Sequence, residues 1–152
     1  MAEFIIRDRV LTKYNGCKKV VHIPYRVTEI GQSAFADRNE IASVTLPDSI
    51  TGIGANAFLG CDAMKSINIP QGVRKIDDNS FLCCESLEKI VIPDSVTGLG
   101  MWCFSECGSL RTVSIPESIR NIGALAFYHT KWLDEYPGDF VTVNGILICY
   151  KG

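Results

Sequence analysis

The chain has 152 residues, 47% of them hydrophobic, which fits one ordinary folded domain and excludes a disordered tail. Its formal net charge of −2 supplies no general field for gathering phosphates and argues against a nucleic-acid partner. No apolar run approaches the roughly 18–20 residues that cross a bilayer, so no membrane insertion is expected, and Met1-Ala2-Glu3-Phe4 does not open a signal peptide.

In chain order, the first element is a hairpin. Phe4-Ile5-Ile6-Arg7 and Val10-Leu11-Thr12-Lys13-Tyr14 flank Asp8-Arg9, a weaker turn pair than Asn-Gly. A repeat follows. Pro24, Pro47, Pro70, Pro93 and Pro116 are each 23 residues apart, and Phe35, Phe58, Phe81, Phe104 and Phe127 keep the same step. Apolar columns run in phase with them. One is Ile41, Met64, Leu87, Leu110 and Leu133; another is Ile30, Ile53, Ile76, Leu99 and Ile122. Each copy cannot close a core alone, but stacked copies bury a continuous one.

Within a copy, Leu87-Glu88-Lys89-Ile90-Val91-Ile92 alternates as a half-buried strand requires. Proline ends it, having no N–H for a ladder, and the run through Leu99-Gly100 to Phe104 returns the chain on the far side. The glycine column, Gly31, Gly54, Gly100 and Gly123 with Asp77 as its departure, serves either a positive-φ turn or a tight approach between coils. The small residues before each phenylalanine (Ala34, Ala57, Ser80, Cys103, Ala126) leave room for the ring of a neighbouring coil.

After the last coil, Lys131-Trp132-Leu133-Asp134-Glu135-Tyr136 reads as a short helical turn broken by Pro137-Gly138. The end of the chain, Phe140 to Gly152, matches Phe4 to Gly16 at an offset of 136, with Phe, Leu, Tyr and the final Gly coinciding. Asn144-Gly145 there is a strong hairpin turn. The chain thus divides into an N-terminal hairpin cap (1–17), five coils (18–132) and a linker with a second hairpin (133–152), in one continuous domain. Because the second hairpin matches the segment that introduces coils, the chain is expected to be one segment of a longer array.

Cysteines are the first candidate for chemistry. Seven is an odd number, which argues against a fully paired disulfide framework. Cys83, Cys84, Cys103 and Cys107 could be drawn as a zinc site. Their recurrence points elsewhere: Cys61, Cys84 and Cys107 share one column, which needs a small, apolar, buried side chain in each coil. No metal ligand is assigned. A cysteine nucleophile would need a nearby histidine, yet His22 and His129 fall at opposite ends of the stack. No catalytic residue is assigned either.

Binding is the stronger reading. Three neighbouring columns on the outward strand face are His22, Thr45, Asn68, Val91 and Ser114; then Val20, Ser43, Ser66, Lys89 and Thr112; then Lys19, Ala42, Lys65, Glu88 and Arg111. From these, Lys65, Asn68, Glu88, Lys89, Arg111 and Thr112 are taken as the binding face, weighed against a plain solvated sheet. The aromatic exceptions, Trp102, Tyr128, Trp132 and Tyr136, read as packing for the terminal hairpin in preference to a carbohydrate platform.

The pattern Ser86-Leu87-Glu88-Lys89-Ile90-Val91-Ile92-Pro93-Asp94-Ser95-Val96-Thr97-Gly98-Leu99-Gly100, followed by Phe104 and Cys107, resembles the BspA-like (Treponema-type) leucine-rich repeats over residues 18–132. Arg38 and Thr130 depart from the cysteine column and Asp77 from the glycine column, as end coils and single positions in repeat arrays often do. The resemblance implies a mainly β, leucine-rich-repeat solenoid of about five 23-residue coils with a β-hairpin at each end. It implies a surface-attached or secreted bacterial protein that binds a protein ligand, a host matrix protein or another bacterial surface protein. The motif carries no catalytic residue and no cofactor. A structural spacer, or an accessory domain appended to an enzyme, is the alternative.

Overall fold

The computed structural model describes residues 2–151; Met1 and Gly152, the last of the positions matched between the two ends, lie outside them. The 23-residue spacing becomes a β-solenoid of about five turns, each contributing one strand to each of two parallel ladders. The first ladder holds three-residue strands: β3 (Val20–His22), β5 (Ser43–Thr45), β7 (Ser66–Asn68), β9 (Lys89–Val91) and β11 (Thr112–Ser114). The return run forms two-residue strands: β4 (Glu29–Ile30), β6 (Gly52–Ile53), β8 (Lys75–Ile76), β10 (Gly98–Leu99) and β12 (Asn121–Ile122). Pairing is in strict repeat register, as in Val21↔Val44 and Ile30↔Ile53.

Each proline ends its strand and opens a turn. The N–H three residues on donates to the proline carbonyl in every coil, from Val27 to Pro24 at 3.0 Å through Ile119 to Pro116 at 3.3 Å. The residue that donates is itself an apolar core position: Val27, Ile50, Val73, Val96 and Ile119 are all buried. The turn that proline requires therefore also points the next core side chain inward.

The phenylalanine column forms the spine of the core. Phe35, Phe58, Phe81, Phe104 and Phe127 are fully buried and stack in sequence, with centroids 5.1 to 5.6 Å apart and planes within 10°. Tyr14 extends the ladder at one end, 5.1 Å from Phe35, and Trp132 closes it at the other, 4.8 Å from Phe127. The ring spacing is close to the 4.7–4.9 Å between neighbouring strands, so the ladder's pitch matches that of the sheets.

The glycine column serves close approach. None of Gly31, Gly54, Gly100 or Gly123 has positive φ; a Cβ on Gly100 would lie 2.4 Å from the Asp77 carbonyl carbon, and one on Gly123 2.3 Å from the Met101 nitrogen. Left-handed backbone instead occupies two other columns. One is Ser33, Asn56, Asn79, Trp102 and Leu125; the other is Asp37, Gly60, Cys83, Glu106 and His129.

Both ends carry hairpins. β1 (Phe4–Arg7) and β2 (Val10–Tyr14) pair antiparallel, and β2 continues the ladder of two-residue strands beside β4. Asp8 and Arg9 both have positive φ, the same turn that Asn144 and Gly145 make, so the weaker pair adopts the stronger pair's conformation. After the last coil comes α1 (Lys131–Asp134), N-capped by the Thr130 hydroxyl, which accepts from the Leu133 N–H. The second hairpin, β13 (Phe140–Val143) and β14 (Ile146–Tyr150), forms a separate sheet lying against the last coil.

Candidate functional site

The outward face of β3, β5, β7, β9 and β11 is a ruled platform. Inward positions such as Val44, Ile67 and Ile90 are buried, while Thr45, Asn68, Val91 and Ser114 stand exposed between them. Register lines each exposed column up across the coils, as in Thr45↔Asn68 and Lys89↔Thr112. All six residues of the expected binding face, Lys65, Asn68, Glu88, Lys89, Arg111 and Thr112, are exposed.

Four of the six converge. Glu88, Lys89, Arg111 and Thr112 line a shallow groove of about 450 Å³, completed by Ser109 and by Lys131 from α1. Lys65 and Asn68 lie outside it, one coil earlier on the same face. Arg111 is held by an ion pair to Glu135, just beyond α1. The remaining charges are unequal: Lys65, Lys89 and Lys131 against the single carboxylate of Glu88. Sequence reasoning missed Ser109 and Lys131 because neither belongs to a strand column; only the fold carries α1 back to the platform edge.

The opposite ladder carries a second groove, of about 510 Å³, that the sequence did not announce. Glu29, Gly52, Lys75, Gly98 and Asn121 form one outward column, the last three of which line it, and Gly98 makes room for the Asn121 side chain, whose Oδ1 would lie 2.3 Å from a Cβ there. Asp77, the departure from the glycine column, lies there and pairs with Lys75 at 2.6 Å. The readable signal was a glycine where neighbouring coils place a side chain.

The four aromatic exceptions separate into two pairs, which corrects the expectation that all pack the terminal hairpin. Trp132 and Tyr136 do pack against the core, 5.4 Å apart, and the Tyr136 hydroxyl donates to the Thr142 carbonyl of β13 at 3.0 Å. Trp102 and Tyr128 instead meet edge to face at 6.2 Å on the turn edge, each 37% exposed. Trp102 sits there with φ at +57°, where the three coils before it place serine or asparagine and the last places Leu125.

The cysteine column does more than fill space. The thiols of Cys61, Cys84 and Cys107 donate to the carbonyls of Phe35, Phe58 and Phe81, at 3.3, 3.2 and 3.2 Å, tying each coil to the ring ladder before it. Burial pushes the Cys61 thiol up to about 12. Cys103 is raised by burial, and Cys84 first by its hydrogen bond with Cys107 and then by burial. Burial thus disfavours the thiolate of Cys61, Cys84 and Cys103, the form that a nucleophile or a zinc ligand needs. Among the described residues, no group of three or more histidine, cysteine or acidic side chains could hold a metal ion. His22 is exposed on β3, and His129 sits on the last turn with Nδ1 2.9 Å from Glu106 Oε1.

Against known proteins, the model of the BspA type leucine rich repeat region matches residues 6–134, in six copies. The chain belongs to the BspA-type leucine-rich repeat family. The matched span begins inside β1 and so takes in the N-terminal hairpin as well as the coils. Among solved structures, a leucine-rich repeat protein of Treponema pallidum is 34% identical with a TM-score of 0.78, covering 82% of this chain and 63% of that one. A leucine-rich repeat protein of Bacteroides ovatus is 26% identical with a TM-score of 0.58, covering 80% of this chain and 39% of that one. A leucine-rich cell surface protein of Faecalibacterium prausnitzii, 24% identical with a TM-score of 0.58, shares the fold over 95% of this chain and 55% of its own. The BspA-type chain thus spans less than two thirds of these relatives. No curated protein sequence matches it.

Departures from the BspA-type pattern find hydrogen bonds of their own, and only Arg38 keeps a side-chain tie to the ring residue of the preceding turn. Arg38 stands in the cysteine column of the first coil, and its guanidinium donates to the Tyr14 carbonyl at 2.8 Å, again tying the column to the preceding ladder ring. Thr130 in the last coil turns its hydroxyl to the Phe127 carbonyl at 2.7 Å while capping α1. Asp77 takes its place between Gly54 and Gly100, the two glycines of the adjoining coils, with its N–H still donating to the Ile53 carbonyl at 3.0 Å.

Proposed function

We propose that this BspA-type chain is a non-enzymatic protein-binding module of a bacterial surface or secreted leucine-rich repeat protein, and that it holds its ligand on the exposed face of β3 to β11. The observation that carries this reading is the platform itself. Five parallel strands in one register present aligned polar columns on a rigid core, and Glu88, Lys89, Arg111 and Thr112 gather in one groove. Extended, ruled faces of this kind are what solenoids offer to partners.

The excess of Lys65, Lys89 and Lys131 over Glu88 favours an acidic protein surface, since complementary charge speeds encounter and fixes orientation. A host matrix protein or another bacterial surface protein is the partner class that the family resemblance implies, and surface display or secretion goes with it. The recurring chemistry of the coils supports a non-catalytic role, because the cysteine, glycine and phenylalanine columns all serve packing and inter-coil bonds.

The test is binding of the chain to immobilised host matrix proteins, mucins, glycans and bacterial cells, beside a variant with Lys65, Lys89 and Arg111 changed to glutamate. Saturable binding to a protein, lost in the variant while its melting curve is kept, is the expected result. No binding across the panel would favour a structural spacer, for which the absence of aromatic anchors in the exposed columns of this face already speaks.

A further inference from the structure

The two terminal hairpins are one structural unit used in two ways. Offset by 136, their pairings coincide throughout: Phe4↔Tyr14 with Phe140↔Tyr150, Ile5↔Lys13 with Val141↔Cys149, Ile6↔Leu11 with Thr142↔Leu147, and Arg7↔Val10 with Val143↔Ile146. The irregularity after Ile5 recurs after Val141. Even the flanking bond repeats: the Asn15 N–H donates to the Glu3 carbonyl at 2.8 Å, and the Lys151 N–H to the Asp139 carbonyl at 2.8 Å.

What differs is the face each hairpin buries. In the first, Leu11 and Tyr14 are fully buried under coil 1, while Arg7, Thr12 and Lys13 are exposed. In the second, the counterparts of those exposed residues are Val143, Ile148 and Cys149, all apolar and all partly buried, Ile148 and Cys149 packed against the core, with Val141 fully buried beside them. The other face keeps Leu147 in Leu11's place, yet Leu147 is 58% exposed. The second hairpin thus has two apolar faces. One is spent on the coil before it, and the other repeats the surface on which coil 1 is built.

The edge tells the same story. Coil 1 joins β2 through Leu11↔Ile30, with the Gly31 N–H donating to the Leu11 carbonyl and the Thr28 N–H to the Arg9 carbonyl, each at 2.8 Å. The matching carbonyls are those of Leu147 and Gly145. Among the described residues β14 pairs with β13 alone, so no strand is hydrogen-bonded along its other edge, although β12 comes close to it.

We propose that the outer face and free edge of β14 are a docking surface for a further leucine-rich coil, seated as coil 1 is seated on β2. Its Glu29-Ile30-Gly31 counterpart would pair parallel to β14 and cover Leu147. Coil 1 of a second copy does not fit the edge, because it is already paired there with β2. The hairpin is then a joint, closing one array and opening the next. The exposed leucine in an otherwise matched strand is explained by that second role.

The experiment is a chain extended after Gly152 by a repeat of residues 17–132, since Gly152 matches Gly16 in the offset. Amide hydrogen exchange of β14 is compared in the parent, the extended chain and the extended Leu147→Asp variant. The parent Leu147→Asp variant, altered at an exposed site, should melt like the parent and serves as the folding control. Docking predicts β14 exchange slowed by about tenfold or more in the extended chain and restored by Leu147→Asp. Unchanged β14 exchange on extension, whether or not the added coils fold, would overturn the proposal. So would a dimer of the parent chain that Leu147→Asp dissociates, which would give the face to a second copy.

Discussion

Truncating one ring in the middle of the ladder is the most searching test of how the solenoid is held together. Phe81 is fully buried and stacks on Phe58 and Phe104 at 5.2 Å on each side, with interplanar angles of 10° and 5°. Phe81→Ala removes the ring's transfer free energy, leaves a cavity that flanking coils cannot close, and breaks two stacked pairs. Large-to-small changes of this kind cost about 3–5 kcal/mol, to which each lost ring pair adds about 0.5–1.5 kcal/mol at most. Against a total stability of about 5–15 kcal/mol the loss is a large fraction. With a urea slope of about 2 kcal/mol per molar, the unfolding midpoint should fall by about 1.5–2.5 M from the ring's burial alone and by up to about 4 M with both ring pairs. Equilibrium urea unfolding followed by circular dichroism is the assay. A shift well under 1 kcal/mol would refute the claim that the ring ladder is the core's spine.

Further tests follow from single columns. Gly72 stands where Ser49, Ser95 and Ser118 occur in other coils, and those hydroxyls donate to carbonyls of the coil before at 2.5 to 2.8 Å. A Cβ at Gly72 would lie 3.0 Å from the matching Ile50 carbonyl oxygen. That contact is tight, but three coils seat a serine there; with the Ile50 carbonyl giving by a few tenths of an ångström, Gly72→Ser should gain the matching bond and stabilise by about 0.5–1.5 kcal/mol in urea unfolding, whereas Gly100→Ala, pressed into the Asp77–Asp78 backbone, should destabilise by about 1–3 kcal/mol. Arg38→Ala should lose about 1.5–3 kcal/mol with its bond to the Tyr14 carbonyl, and Arg38→Cys, which restores the column residue, should recover part of it in the same assay. Cys61 titrates near 9.0 when unfolded and about 12 when folded, because burial disfavours its thiolate. Its contribution is intact below pH 9 and is lost as pH rises towards 12, at up to about 1.4 kcal/mol per pH unit. Unfolding series from pH 8.5 upward should accordingly fall less steeply in Cys61→Ala; equal slopes in the two proteins would contradict this.

The coil was legible in the sequence because every turn spends the same residues on the same task. Proline must end a strand, the residue after the turn must be apolar, and a ring must follow a small neighbour, so the columns at Pro93, Val96 and Phe104 recur without insertion. The hairpins were legible from their alternation, and the Asp8-Arg9 turn formed because β1 and β2 are held by coil 1 as well as by the turn itself. The return strands were less so, since two residues such as Glu29 and Ile30 carry no period. Nor does any local signal show that a cysteine thiol bonds to a carbonyl 26 residues earlier, because that partner is backbone. The left-handed turn at Trp102 ran against propensity: asparagine, as at Asn56 and Asn79, favours that conformation, and the stacked coils impose it on Trp102 and on Leu125. For the binding face, the columns located which side chains point outward, but the charge at Lys131 arrives by tertiary folding and belongs to no column.

The measurement closest to the central claim is a lysine acetylation footprint of the chain, free and saturated with a protein from the binding panel, read by mass spectrometry. Lys65 and Lys89 stand on the strand face, and Lys75 stands on the opposite ladder beside the second groove. Protection of Lys65 and Lys89 with Lys75 still labelled is the predicted result. Protection of Lys75 while Lys65 and Lys89 remain reactive would contradict it and move the binding surface to the other side of the solenoid.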